Sequence, residues 1–412
     1  MPGSRLRILC TAVSPPTHTD TGDAIRVRGL LRALAECHEV RFVGTRRPED
    51  APSAITALDD LCHGGLDLYP PSGAVSRSFA ARGQRWVRAL EGRTPTWSLA
   101  HHVPAVAERL EQLAPSYDAV VLLDNAVAVY WRSLRRARRS VVDVHQVAGW
   151  PLARGDKPPF STPLPRLRRE LDAALMCSYE KRSLESMDGI IVTSDDEANR
   201  LHSLYGLTAC AVVPSAIDVP DTVLRSPGAG TVAWVGGLQY QPNRTGLIRF
   251  VREGWAPLGE AGYELLVAGA GATEEVKALQ SHPGVTVLGF VDDLTAFLRR
   301  ADVAVVPLWE GAGVKLKSVT FMGAGIPLVS TTVGLEGTGA RDGEHALVRD
   351  TPVALADGLR VLLEQHEQAN RLGASARALV AERLSWESVG RAFRTTVERV
   401  AADDVPGAPS SY

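Results

Sequence analysis

Residues 309–337 read WEGAGVKLKSVTFMGAGIPLVSTTVGLEG. The stretch joins a Gly-rich loop, two lysines, a helical segment, a Gly-Ile-Pro turn and an apolar run. Gly311 and Gly313 let the backbone pass close to a bound anion. A helix starting near Val314 aims its free N–H groups and the positive end of its dipole at that anion. Lys315 and Lys317 add two full positive charges. Leu328 and Val329 read as a parallel strand, with Thr331 or Thr332 placed to cap the next element. The constellation suits a diphosphate. The plain alternative, open on the local pattern alone, is a loop-helix-strand turn with solvated lysines.

Working outward, 412 residues exceed one ordinary domain, and 45% apolar content supplies two cores. A net charge of −2 argues against general nucleic-acid binding. The five cysteines (Cys10, Cys37, Cys62, Cys177 and Cys210) are scattered, with no metal-ligand spacing, so reduced thiols are expected. The apolar run near the start is too short for a signal peptide, and no run of about 18 apolar residues occurs. A cytoplasmic protein is the expectation.

Strands and helices alternate in both halves. Leu6 to Ala12 reads as a strand, then a loop with Pro15, Pro16, Asp20 and Gly22, then a helix from about Asp23 to Glu36. Val27, Leu30, Leu31 and Leu34 give that helix one buried face, with Arg26, Arg28 and Arg32 off it. Further strands are expected at Glu39 to Val43, Ala119 to Leu123, Ser140 to Val144 and Gly189 to Thr193. Helical or irregular segments intervene, including Ala80 to Leu90 and Leu167 to Met187. Ser194 fits an N-cap, with Glu197 completing a capping box. Asp221 to Gly230 reads as a linker. Beyond it, TVAWVGG enters a Gly236-Gly237 turn, and ELLVAGAG, VTVLGFV and VAVVPLW are strand-turn units. Such β-α alternation implies parallel sheets, which bind ligands beyond the carboxyl ends of their strands.

These residues resemble the donor-site signature of GT-B glycosyltransferases, specifically the large retaining family 4. Its members read Pro-Leu-x-x-Gly-x-Gly-x-Arg-x-Lys-x-x-Glu-Ala-x-x-x-Gly-x-Pro-Val-Val-x-Thr. Pro307, Leu308, Gly311, Gly313, Lys317, Gly325, Pro327, Val329 and Thr331 match, and Lys315 replaces the arginine. The glutamate that grips the ribose hydroxyls falls on Thr320, and the alanine after it on Phe321. A second glutamate position is Ala312, with Glu310 nearby but out of register. Gly237 stands where an arginine contacts phosphate; Arg244 is the nearest substitute. VVDVHQV resembles a strand ending in a histidine near the reacting sugar, here His145, with His18 a weaker candidate.

The resemblance implies two Rossmann-like domains facing across a cleft. The expected bounds are 1–215 on the acceptor side, 228–385 for the nucleotide sugar, a crossover helix at 386–400 returning to the first domain, and a flexible tail at 401–412. It implies transfer of a sugar from a nucleoside-diphosphate sugar to an acceptor hydroxyl with retention, with no metal and no cofactor besides the donor co-substrate. Catalytic roles fall on His145 and Lys317. Donor contacts fall on Gly236, Gly237, Phe290, Val291, Glu310, Gly311, Gly313, Lys315, Lys317 and Thr320, and Gly22 lies on the acceptor-side or phosphate-side loop. Asp292 and Asp293 read as helix caps. The acceptor is a small molecule or lipid-linked. The basic runs Arg132 to Arg139 and Arg166 to Arg169 leave peripheral membrane contact open beside ordinary surface charge. Two alternatives stand beside the enzyme: a non-catalytic binding or partner protein of the same fold, and an enzyme with an unusual donor or coupling reaction.

Overall fold

The computed structural model describes residues 5–13, 16–17, 22–48, 50–71, 94–149, 163–311 and 314–403. His18, Gly313, the helix expected at Ala80 to Leu90 and the tail from 404 onward lie outside them.

The chain divides into two compact units, Met1–Val213 with Gly390–Tyr412, and Pro214–Val389. Each is a Rossmann-like domain. In the first, seven parallel strands are ordered β3-β2-β1-β4-β5-β6-β7. They are β1 Arg7–Ala12, β2 Glu39–Thr45, β3 Gly65–Tyr69, β4 Ala119–Leu122, β5 Ser140–Val144, β6 Gly189–Val192 and β7 Ala211–Val212. In the second, the order is β10-β9-β8-β11-β12-β13. These strands are β8 Thr231–Val235, β9 Glu264–Ala268, β10 Val285–Gly289, β11 Val303–Val306, β12 Leu328–Ser330 and β13 Leu347–Val348. Direction of winding reverses between β1 and β4, and again between β8 and β11. Loops leaving adjacent strands part at such a point and open a crevice at the carboxyl edge.

Burial on both faces explains the near-continuous apolar strands. In the second unit Val232, Trp234, Val303 and Val305 enter one core, while Ala233, Ala304 and Val306 enter the opposite one. The first unit packs Leu9, Val120, Leu122, Val142 and Val144 into a single cluster. β3 and the helices Pro52–Leu61, Thr96–His101 and Pro104–Leu113 add to the elements anticipated. The stretch expected to be a linker is fastened to the second unit. Arg225 pairs with buried Asp302 at 2.7 Å, and Asp302 also accepts Gly228 N–H at 2.9 Å.

The last helix, Trp386–Ala401, passes into the first unit from Gly390 onward. A Cβ at Gly390 would meet Ala33 Cβ at 2.8 Å, so close approach to the helix Gly22–Ala35 needs glycine there. Arg394 reaches Glu36 at 3.0 Å, and His38 Nε2 lies 3.0 Å from Glu398 Oε1.

Candidate active site

The second unit assembles its site at the reversal between β8 and β11. The helix Leu316–Gly323 begins two residues later than anticipated, with Lys315 at its N-cap position. Lys317 lies on its first turn. Its Nζ donates to Asn243 Oδ1 at 2.6 Å and sits 4.6 Å from the centroid of the Trp234 ring. Asn243 is oriented by donating Nδ2 to Gly237 O at 2.8 Å. A Cβ at Gly236, where φ is +158°, would stand 2.7 Å from Lys317 Nζ, so glycine keeps that seat open. Among the described residues Lys317 has no carboxylate partner. Burial, and then repulsion from Lys315, bring its pKa down to about 7. A cation this ill-compensated is a ready partner for an anion.

Lys315 differs: its Nζ lies 3.4 Å from Glu336 Oε2, both side chains largely buried. Gly311, with φ +121°, brings the loop after β11 alongside; a Cβ there would meet Tyr240 Oη at 3.5 Å and Lys315 Cε at 3.6 Å. Glu310 is exposed. Its charge adds to burial in raising the Tyr240 pKa. The base of this loop is pinned by Trp309, which donates Nε1 to Asp350 O at 2.7 Å beneath the Arg249 guanidinium. Thr331 Oγ1 accepts Gly334 N–H at 3.2 Å, and Thr332 binds the Asp350 carboxylate through both N–H and hydroxyl.

Thr320 is half-buried on the same helix, and Phe321 next to it is fully buried in the core, so its ring does not crowd the threonine's side. At the end of β10, Gly289 has φ +73°, Phe290 is exposed and Val291 half-buried. Asp293 caps the following helix by accepting Ala296 N–H at 2.9 Å. Arg244 donates to Leu238 O at 3.3 Å. Lys315, Lys317, Gly236, Gly237 and Gly311 thus come together, while Asn243, Trp234, Tyr240 and Glu336 had no role in the sequence reading.

The first unit holds a different arrangement at its carboxyl edge. His145 follows β5, and both ring nitrogens face carboxylates: Nε2 to Asp143 Oδ2 at 3.0 Å and Nδ1 to Asp23 Oδ1 at 3.1 Å. Burial opposes charge on the ring, but the hydrogen bonds to Asp143 and Asp23 prevail and lift its pKa to about 10. A ring charged in this way donates from both nitrogens, one to each carboxylate. Both ring nitrogens thus have carboxylate partners within this unit. The backbone carbonyl accepts Thr193 Oγ1 at 3.0 Å. Asp143 is gripped in turn by Arg26, Nε to Oδ2 at 2.8 Å and Nη2 to Oδ1 at 2.6 Å. Burial would raise the Asp143 pKa, but Arg26 and His145 hold it well below the carboxylate range. Arg26 was expected off the buried face, yet it is buried by its pairing with Asp143. Gly22 opens the helix that carries Asp23 and Arg26.

The loop leaving His145 is held by two further carboxylates. Glu197 accepts Val147 N–H at 2.8 Å, and Glu180 accepts Ala148 and Gly149 N–H at 2.9 Å each. Ser194 caps its helix as read, accepting Glu197 N–H at 3.2 Å, but the Glu197 carboxylate turns to Val147.

Two Rossmann-like domains in one chain, with the terminal helix returning to the first, define the GT-B architecture. Solved structures share it. Sucrose-phosphate synthase from Thermosynechococcus elongatus superposes with a TM-score of 0.68 at 18% identity, covering 97% of this chain and 100% of that one. Anabaena HepE in complex with UDP gives 0.65 at 14% identity, covering 95% and 100%. Residues 229–365, which carry the Lys317 site, match the family described as Glycosyl transferases group 1. The phosphatidyl-myo-inositol mannosyltransferase of Mycobacterium leprae (strain TN) is 27% identical over 357 residues, 79% of this chain and 91% of that protein.

Proposed function

We propose that the protein is a glycosyltransferase that moves a sugar from a nucleoside-diphosphate sugar to an acceptor hydroxyl, with retention. The observation that carries this reading is Lys317, a half-buried ammonium seated on Trp234 and Asn243 beside Gly236, with no carboxylate partner among the described residues. A diphosphate supplies the missing negative charge, and the N–H groups opening the helix Leu316–Gly323 reinforce it. Lys315 adds a second cation once the phosphate competes with Glu336. Phe290 and Val291 offer backbone groups to a base edge, and the Gly311 loop admits the sugar-phosphate.

Catalysis in this reading is stabilisation of the leaving diphosphate by fixed cations, which lowers the barrier without a metal or a protein nucleophile. The leaving phosphate takes the acceptor proton, so attack comes from the face the diphosphate departs. His145 serves as a fixed positive charge rather than as an acid or base. Supporting likenesses are the HepE structures with UDP and with UDP-glucose, and the relative named as a phosphatidyl-myo-inositol mannosyltransferase. The acceptor here is a small molecule or lipid-linked, met in the cytoplasm or at a membrane surface.

Calorimetry with UDP, GDP, UDP-glucose and GDP-mannose, followed by turnover assays on whichever binds, tests the proposal. Absence of nucleotide binding would reject it. A second reading, a binding protein of the same fold, is favoured by Thr320, whose single neutral hydroxyl stands where a carboxylate would hold a ribose. Tight nucleotide-sugar binding with no turnover against any acceptor would select it.

A further inference from the structure

Resting on the glycosyltransferase reading, we infer that Asp23 is an acceptor-binding residue, a carboxylate held in place to receive a hydrogen bond from the acceptor's hydroxyl. Four side chains form a relay of alternating charge, running from Asp23 to His145 to Asp143 to Arg26. Arg26 and Asp23 share the first turns of the helix Gly22–Ala35, while Asp143 and His145 flank the end of β5. Three members are shielded, with side-chain exposures of 2% for Arg26, 0% for Asp143 and 12% for His145. Asp23 is 64% exposed. The relay therefore presents one carboxylate to solvent at the carboxyl edge of the first sheet.

Structure alone does not require this arrangement. Arg26 already satisfies Asp143 through two hydrogen bonds and also donates to Val213 O at 2.8 Å. A neutral histidine donating one N–H to Asp143 would complete a stable pair. Adding Asp23 fixes the ring as a cation and pins one oxygen of an otherwise mobile surface carboxylate, Oδ1, at 3.1 Å. Oδ2 has no partner among the described residues. The hydrogen bond from His145 holds the Asp23 pKa below the ordinary aspartate value. An ionised carboxylate with one oxygen anchored and one open is a pre-oriented acceptor for a hydroxyl, and a polyol or sugar binds such a group with little reorganisation cost. Asp23 is thus placed to choose hydroxyl-bearing ligands, and His145 is its positioning residue.

The test uses the full chain as wild type, Asp23→Ala and Asp23→Asn. Binding of myo-inositol and glycerol, two uncharged polyol probes, is read by saturation-transfer NMR with and without UDP. Affinity for UDP and the melting midpoint are measured in parallel. Wild type should show saturation transfer at millimolar polyol. Asp23→Ala should weaken it by about tenfold or more, and Asp23→Asn, which keeps an accepting oxygen but no charge, should fall between. UDP affinity should stay within about twofold in all three. No transfer in wild type, or equal transfer in wild type and Asp23→Ala, overturns the inference. A lowered midpoint with unchanged polyol binding marks Asp23 as merely structural and overturns it too. Failure of wild type to bind UDP counts instead against the donor reading, because the polyol arm without UDP still reports on Asp23.

Discussion

Donor affinity should fall steeply as pH rises through neutrality, because of Lys317. Its ammonium is buried on the Trp234 face with an amide oxygen for company, and its pKa lies at about 7, against an ordinary 10.5. Only the protonated amine pairs with a diphosphate. The charged fraction of the free protein is about one half at pH 7 and about one hundredth at pH 9. Binding that requires the charge therefore weakens about fiftyfold across that interval, on the order of 2.3 kcal/mol. Each binding event above neutrality takes up close to one proton, since the bound phosphate restores the lysine's charge. UDP-glucose is a suitable probe because its diphosphate does not titrate in this range. Calorimetry in HEPES and in Tris, whose ionisation enthalpies differ, should give different apparent heats, and their difference counts the proton. Lys317→Arg keeps a permanent charge and should abolish both the proton uptake and the pH slope. An affinity flat from about pH 7 to about pH 9 in wild type, with equal heats in the two buffers, would refute the argument that burial has made this lysine half-neutral.

Three further outcomes are expected. Arg26→Met leaves the fully buried Asp143 carboxylate without its bidentate partner, and chemical unfolding should show a loss of about 3–5 kcal/mol; an unchanged midpoint would mean that Asp143 is satisfied without Arg26. Thr320→Glu should tighten nucleotide binding by roughly 1–3 kcal/mol, since Phe321 is turned into the core and leaves room; weaker binding in a calorimeter would disprove a lost ribose contact. His145 has its pKa raised from 6.5 to about 10, so it contributes stability that is complete below 6.5 and is lost as pH rises through about 10. Wild type should therefore lose more stability than His145→Gln over that window, and parallel melting profiles would contradict the ion relay.

Much of the architecture was legible because parallel sheets write a strong signal. β11 reads Val-Ala-Val-Val and β5 reads Ser-Val-Val-Asp-Val, runs that only strands buried on both faces require. The lysine loop was legible for a similar reason: glycines, positive charges and a helix start are local and contiguous. β3 escaped because Gly-Leu-Asp-Leu-Tyr is an edge strand, half-buried throughout, with one neighbour and no pure apolar run. The helix start was misjudged by two residues because Lys315 lacks a capping side chain that would mark it. Trp234 and Asn243 gave no functional signal, since a tryptophan in a strand and an asparagine opening a helix have ordinary structural readings.

The ion relay was not legible for a different reason, and the reason separates framework from function. Asp143 interrupts a strand whose other residues are all buried and apolar apart from Ser140, so burial of that charge demands a cation elsewhere. Periodicity placed Arg26 off the apolar stripe of its helix and thereby toward solvent, but a residue beside the stripe can be drawn inward by a buried acid 117 positions away. Asp302, buried before β11 and paired with Arg225, obeys the same rule. In both cases the charge is compensated inside its own unit, and its removal should be felt in stability. Lys317 and the Oδ2 of Asp23 are the reverse: among the described residues, a half-buried cation without an acid and an oriented carboxylate with one oxygen unpartnered. Folding gains nothing from leaving either group so, because an uncompensated buried charge costs free energy and an anchored surface carboxylate loses rotamer freedom. In the proposed reading a ligand completes each, a diphosphate for the lysine and a hydroxyl for the aspartate.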